Sequence, residues 1–139
     1  MEILGFGVRY IVNDVEAAIA FYNKILGFHV KMHPNPHFAI LARGGLRLML
    51  NTPTGPGGGA QPMPDGSTPK PGGWNRIQLQ VSNLDQEIAN LQKAGIHFRS
   101  DIIVGIGAKQ VILEDPSNNP IELFELRGEG EQQNDESQS

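Results

Sequence analysis

The chain contains no cysteine. Disulfides, a thiolate nucleophile and a cysteine-held zinc site are therefore excluded. It also lacks any apolar run approaching the roughly 20 residues that a membrane-spanning helix needs. The opening MEILGFGVRY has no basic stretch followed by a cleavable apolar core, so no leader is expected and the cytoplasm is the default address. Positive charge is in short supply. Eleven Lys and Arg stand against 15 Asp and Glu, for a formal net charge of -4. Without a cationic excess to meet phosphates, a nucleic-acid partner is not expected.

What is present suits a globular chain. Its 139 residues are enough for one domain, or for two small modules sharing a core. The 17 glycines and 10 prolines concentrate in one stretch, so they mark a connection and not a disordered chain.

Residues 3–12, ILGFGVRYIV, read as a strand in which Val8, Tyr10 and Val12 alternate with Gly7, Arg9 and Ile11. Asn13 and Asp14 can cap a helix, with Glu16 spaced to return a capping-box bond to Asn13. Val15, Ala18, Ile19, Tyr22, Ile25 and Leu26 recur as one apolar stripe, and Gly27 ends the helix. Three short strands follow, FHVKM, HFAILA and LRLMLN, turned by Pro34-Asn35-Pro36 and by Gly44-Gly45.

The same order returns over residues 73–126. In NRIQLQV, Ile77, Leu79 and Val81 alternate with Arg76, Gln78 and Gln80. Ser82 or Asn83 caps a helix whose stripe is Leu84, Ile88 and Leu91, closed at Gly95. IHFRSDI, KQVILED and PIELFEL complete the set, the last two joined by Pro116-Ser117-Asn118-Asn119. YIVNDVEAAIA aligns over LQVSNLDQEIA, with Val12 over Val81 and Ile19 over Ile88, the mark of an internal duplication. The expected fold class is α+β: two βαβββ modules, about 3–51 and 73–126. The Gly/Pro-rich stretch 52–72 connects them as a lid or a passive linker. The polar, acidic 127–139 is expected to be a disordered tail.

The stretches VRYIVNDVEAAIAFYNKILGF, GGWNRIQLQVSNLDQEIANLQKAGIHF and ILEDPSNNPIELFEL together resemble the vicinal-oxygen-chelate superfamily, the glyoxalase, bleomycin-resistance and dioxygenase-like group. The resemblance implies a single domain over residues 1–126. In it a curved, partly closed mixed sheet surrounds a cavity, with helices outside. It also implies a small-molecule ligand and a homodimer. It does not choose an activity, since the superfamily holds isomerases, ring-cleaving dioxygenases, thiol transferases and non-catalytic drug binders.

The resemblance places the family's metal ligands at Gly7, Arg47, Arg76 and Glu122. Glycine offers no ligand atom and a guanidinium no lone pair, so only Glu122 could hold a dication. No metal or other cofactor is therefore expected. A buried Glu122 without a cation needs a partner, and Arg76 is expected to supply one as a bidentate pair in the old metal position.

Strand parity turns Arg9 and Ile11, Arg47 and Met49, Arg76 and Gln78, Gln110 and Ile112, and Glu122 and Phe124 toward the cavity. The expected ligand-binding set is Arg9, Arg47, Met49, Trp74, Arg76, Gln78, Gln110, Glu122 and Phe124. Its arginines favour an anionic or carbonyl-rich ligand. The plainer alternative is that these residues only solvate an open sheet face. Trp74 could stack on a planar ligand, but burial at a module junction or dimer contact is favoured.

Other motifs fail. Histidines 29, 33 and 37 are four apart, but Pro34 and Pro36 forbid the helix that would align them, so surface or strand-edge histidines are expected. His97 stands alone. GFGVRY and GIGAKQ lack a third glycine, TGPGGGAQP lacks the Lys-Ser/Thr ending of a phosphate loop, and no Gly-x-Ser-x-Gly elbow occurs. Two functions remain: a metal-independent binder of the bleomycin-resistance type, which is preferred, and a glyoxalase-like lyase, isomerase or dioxygenase-related enzyme. The latter would use Glu122 as its candidate catalytic or atypical metal-site residue.

Overall fold

The computed structural model describes residues 1–127, so the tail expected over 127–139 lies, from residue 128 onward, outside the described residues. Two compact units emerge among the described residues: Met1–Gly73 with Asp115–Asn119, and Trp74–Glu114 with residues 120–127. Each carries one βαβββ module, giving an α+β fold.

The first module consists of β1 (Gly7–Ile11), α1 (Val15–Lys24), β2 (His29–Asn35), β3 (Phe38–Arg43) and β4 (Leu46–Asn51). Its sheet order is β1-β4-β3-β2, with β1 parallel to β4 and the other pairs antiparallel. Period-2 alternation sends Tyr10, Val12, Ala39, Leu41, Leu48 and Leu50 into the core. From α1 they meet Val15, Ala18, Phe21 and Tyr22, followed by Leu26. Phe21 takes a buried place in the stripe, while Ile19 and Ile25 are only half-buried. Tyr22 makes edge-on contacts with Tyr10, Phe21 and Phe28, at ring-centroid distances of 6.3, 5.0 and 5.9 Å.

Asp14 caps α1, accepting from the Ala17 N–H at 3.1 Å. The expected capping box is replaced by two other contacts. Asn13 donates its N–H to Ser117 Oγ at 2.8 Å, and Glu16 reaches His33 at 3.0 Å. At the other end Gly27 has φ +71, and Arg43 donates to the Leu26 carbonyl beside it. The first strand is shorter than expected, beginning only at Gly7. β2 runs longer, through Pro34, which an edge strand with an irregular register tolerates. The turn therefore falls at Pro36-His37, where Asn35 Oδ1 accepts the His37 N–H at 2.8 Å.

The second module consists of β5 (Ile77–Gln80), α2 (Leu84–Lys93), β6 (Ile103–Val104), β7 (Ala108–Glu114) and β8 (Pro120–Leu126), in sheet order β5-β8-β7-β6. Asn83 caps α2 through the Gln86 N–H at 3.1 Å, and Leu84 and Leu91 are buried. The strand expected over residues 96–102 does not form. Phe98 makes one isolated bridge to Leu113, and pairing resumes only at Ile103–Val104. The reason is local: Ser100 Oγ accepts the Ile112 N–H at 3.1 Å, a donor that a regular ladder would give to a backbone carbonyl. Between the modules, residues 52–72 form one short 3-10 turn, Gly58–Ala60, and otherwise follow an irregular path.

Candidate ligand-binding site

Strand pairing tests which side chains share a face. Gly7 sits opposite Arg47 and Arg9 opposite Met49. In the second module Gln78 and Ile112 both face Glu122, and Gln80 and Gln110 both face Phe124. Each module thus gathers its expected residues on the side of its sheet opposite the buried apolar rows.

In the second module three donor groups surround Glu122 and engage both of its oxygens. Arg76 Nε and Nη2 both approach Glu122 Oε1 at 2.9 Å, and Gln78 Nε2 donates to Oε2 at 2.6 Å. The pair is a fork on one oxygen, with Gln78 taking the other. Arg76 also donates Nη1 to the Trp74 carbonyl at 3.2 Å and lies 5.9 Å from that indole's centroid. Within the chain Trp74 is 72% exposed, and its backbone carbonyl holds Arg76. On the same face Arg99 Nε meets Glu114 Oε2 at 2.8 Å, an ion pair the sequence reading missed.

These residues do not fit a divalent cation. Gly7 has no side chain, and the Arg47 guanidinium lies across it, about where a Gly7 side chain would be. Both Glu122 oxygens already accept hydrogen bonds. Among the described residues no three His, Asp or Glu side chains gather as a cation site needs.

In the first module a cavity of about 350 Å³ opens beside Arg9 and Asn51. Asn35, His37 and Phe38 form one wall, and Thr54 with Pro56–Ala60 of the connection forms another. Arg9 donates Nη1 to Asn51 Oδ1 at 2.7 Å and rests Nη2 3.9 Å from Met49 Sδ. Asn51 is buried and donates Nδ2 to the Thr52 carbonyl at 2.9 Å, so both ends of its amide are fixed. A methyl group on Gly59 would fall 2.1 Å from Arg9 Nη1 and 2.7 Å from Asn51 Oδ1. Glycine is the residue that lets the connection lie this close. Farther along, Asp65 is held below the usual carboxylate range by the Ser67 hydroxyl and then by its N–H.

Of the residues singled out from the sequence Arg9 lines this cavity, with Met49 beside it, and the connection offered there as a lid or linker supplies one wall; His37 and Asn51 were not singled out as lining residues. The available signal was Asn51-Thr52 at the end of β4, running directly into a Gly/Pro run. A second cavity, about 430 Å³, lies among Ile88, Gln92, Phe98, Ser100–Ile102 and Val111. It lies beside the irregular stretch 96–102, and it has no cationic lining.

The chain matches the family model described as Glyoxalase/Bleomycin resistance protein/Dioxygenase superfamily over residues 6–123. A comparison with curated proteins gives no match. Among solved structures it is similar to a member of the Glyoxalase/bleomycin resistance protein/dioxygenase superfamily from Sphaerobacter thermophilus DSM 20745. Identity is 25% and TM-score 0.70, over 89% of this chain and 98% of that one. It resembles the lactoylglutathione lyase from Agrobacterium tumefaciens at 17% identity and TM-score 0.67, over 89% and 92% of the two chains. It also resembles TnmS3, an antibiotic binding protein from Streptomyces sp. CB03234, at 23% identity and TM-score 0.65, over 90% and 97%. The last two likenesses speak for the fold alone.

Proposed function

Because the chain belongs to the glyoxalase/bleomycin resistance protein/dioxygenase superfamily, we propose that it is a metal-independent small-molecule-binding member of the bleomycin-resistance type, taking an anionic or carbonyl-rich organic ligand. The observation that carries this reading is the saturation of Glu122. The one family metal position able to ligate is occupied on both oxygens by Arg76 and Gln78. Removing that carboxylate from its partners to bind a cation would leave Arg76, only 18% exposed at its side chain, without its ion pair.

Charge supports the ligand class. Among the described residues Arg9 and Arg47 have no carboxylate partner, although acidic residues outnumber basic ones in the chain. Two guanidinium groups on one sheet face present donors in a geometry suited to carboxylate or phosphate oxygens. On the first module Arg9, Arg47 and Met49 would contact ligand; on the second, Trp74, Arg76, Gln78, Gln110, Glu122 and Phe124. No helix among the described residues is long and apolar enough to cross a membrane. The same reading takes the protein as a cytoplasmic homodimer, which sedimentation checks.

The test is a thermal-shift screen of organic anions and neutral drug-like compounds, run with EDTA present. A ligand at 100 times its Kd stabilises the folded state by about 2.7 kcal/mol, enough to read as a higher Tm. The expected result is an anionic hit whose shift is the same with and without chelator. Shifts that appear only after nickel, zinc, manganese or iron is added would point to the enzyme reading instead.

A further inference from the structure

We propose that the cavity between the first module's sheet and the glycine-rich connection is a subsite for a hydroxylated organic carboxylate. Arg9 takes the carboxylate and His37 accepts a hydrogen bond from the hydroxyl. This deepens the binding reading above and rests on it.

The inference starts from a hydroxyl. Thr52 Oγ1 donates to the Thr54 carbonyl, and it lies 3.0 Å from His37 Nδ1. A hydroxyl has one proton to give. Having given it to Thr54, Thr52 can only accept from His37, so Nδ1 carries the ring's hydrogen. The neutral imidazole then presents Nε2 as a bare acceptor. Gly55 covers the opposite edge, since a methyl group there would come within 3.0–3.2 Å of Cγ, Cβ and Nδ1. Among the described residues Nε2 has no partner, and His37 lines the cavity.

Arg9 supplies the complementary half. Asn51 holds Nη1 and Met49 Sδ lies against Nη2, while Arg9 lines the cavity with N–H donors to spare for an anion. A pure acceptor such as a simple carboxylate satisfies Arg9 and leaves His37 unpaired. A ligand that carries a hydroxyl as well satisfies both. Phe38 adds an apolar wall, and a cavity of about 350 Å³ suits a small molecule with a ring or short branch.

The experiment titrates glycolate, lactate, mandelate and salicylate, each beside its O-methyl counterpart, into the full chain by calorimetry in EDTA. Wild type is expected to bind at least one hydroxy acid tenfold or more tightly than its methyl ether. Arg9→Met should lose tenfold or more for both members of that pair. His37→Phe should keep the ether's affinity within about threefold but erase the hydroxyl preference. Circular dichroism melts verify that both variants remain folded.

Equal affinity for hydroxy acid and ether, a preference surviving in His37→Phe, or binding indifferent to Arg9→Met would each overturn the subsite. Binding that survives Arg9→Met but falls with Arg47→Met would do so while leaving the broader binding reading intact. If no organic anion or neutral compound binds wild type at all, both readings fall.

Discussion

Asp115 is almost fully buried, yet its carboxylate lacks no donor. Oδ1 accepts the N–H groups of Ser117 and Asn119 at 2.8 and 2.9 Å. Oδ2 accepts Tyr22 Oη and Asn119 Nδ2 at 2.8 and 3.0 Å. Asn119 in turn donates to the Ile11 carbonyl and accepts from the Gly72 N–H, both at 2.7 Å. One acid therefore ties the 115–119 turn to α1 and, through Asn119, to the end of β1. Tyr22→Phe leaves this buried acceptor one donor short and should cost about 1–3 kcal/mol in urea denaturation. Burial, and then the Asp115 charge, hold the Tyr22 phenol well above its ordinary value. A raised folded pKa means the stabilisation is whole below about pH 10, where the unfolded tyrosine also keeps its proton. It is lost as pH climbs toward the folded value, by up to about 1.4 kcal/mol per pH unit. Tyr22→Phe should flatten that alkaline decline, which urea titrations from pH 9 to 11 would read. A decline as steep in the variant contradicts the assignment. The sequence showed Tyr22 as core from its place on the helix stripe. It could not show Asp115, because a carboxylate 93 residues away carries no periodic signature.

Arg76 invites the same treatment. Arg76→Met leaves Glu122 buried with only Gln78 and should destabilise by about 3 kcal/mol, discounted somewhat for the arginine's partial exposure. Arg76→Met combined with Glu122→Leu should recover most of that loss. If the single variant unfolds at the wild-type denaturant midpoint, the pair contributes nothing and the case built on Glu122 weakens.

Elements were legible where a period and its punctuation agreed. The two helices each have an apolar stripe, an Asp or Asn cap and a terminal glycine, and both lie where expected. β2 and β6 were misjudged for opposite reasons. Pro34 reads as a turn but is harmless on an edge, whereas Ile96, Phe98 and Ile102 alternate like a strand but Ser100 diverts the ladder. The connection was legible only as lacking regular structure. Two of its glycines make physical sense once their neighbours are seen: Gly55 lies against His37, and Gly59 against Arg9 and Asn51. Gly59→Ala should push the connection off Arg9 and Asn51, since Asn51 is fixed at both ends and cannot give way. The expected outcome is at least tenfold weaker anion binding with a Tm within a few degrees of wild type. Unchanged affinity would mean the connection is a linker and not a wall.

At the scale of the whole molecule, duplication was readable because the same strand–helix–strand grammar occurs twice with aligned apolar positions. On the proposed reading, the resemblance places Gly7, Arg47, Arg76 and Glu122 at the family's metal positions. The Arg76–Glu122 pair was itself expected; what the sequence did not reveal was its form, in which Arg76 forks onto one oxygen of Glu122 while Gln78 closes the other. The two modules divide the charges unequally. The second pairs its face arginines with Glu122 and Glu114, whereas the first leaves Arg9 and Arg47 without acids among the described residues. That asymmetry is the reason for expecting an organic anion, and not a cation, as the bound species.

The most direct measurement is elemental analysis of the full chain after dialysis against nickel, zinc, manganese or ferrous iron and removal of free ion. An internal salt link at the inherited metal position predicts background levels for every ion, in wild type and in Glu122→Gln alike. One ion retained per chain, and lost on Glu122→Gln, would contradict it.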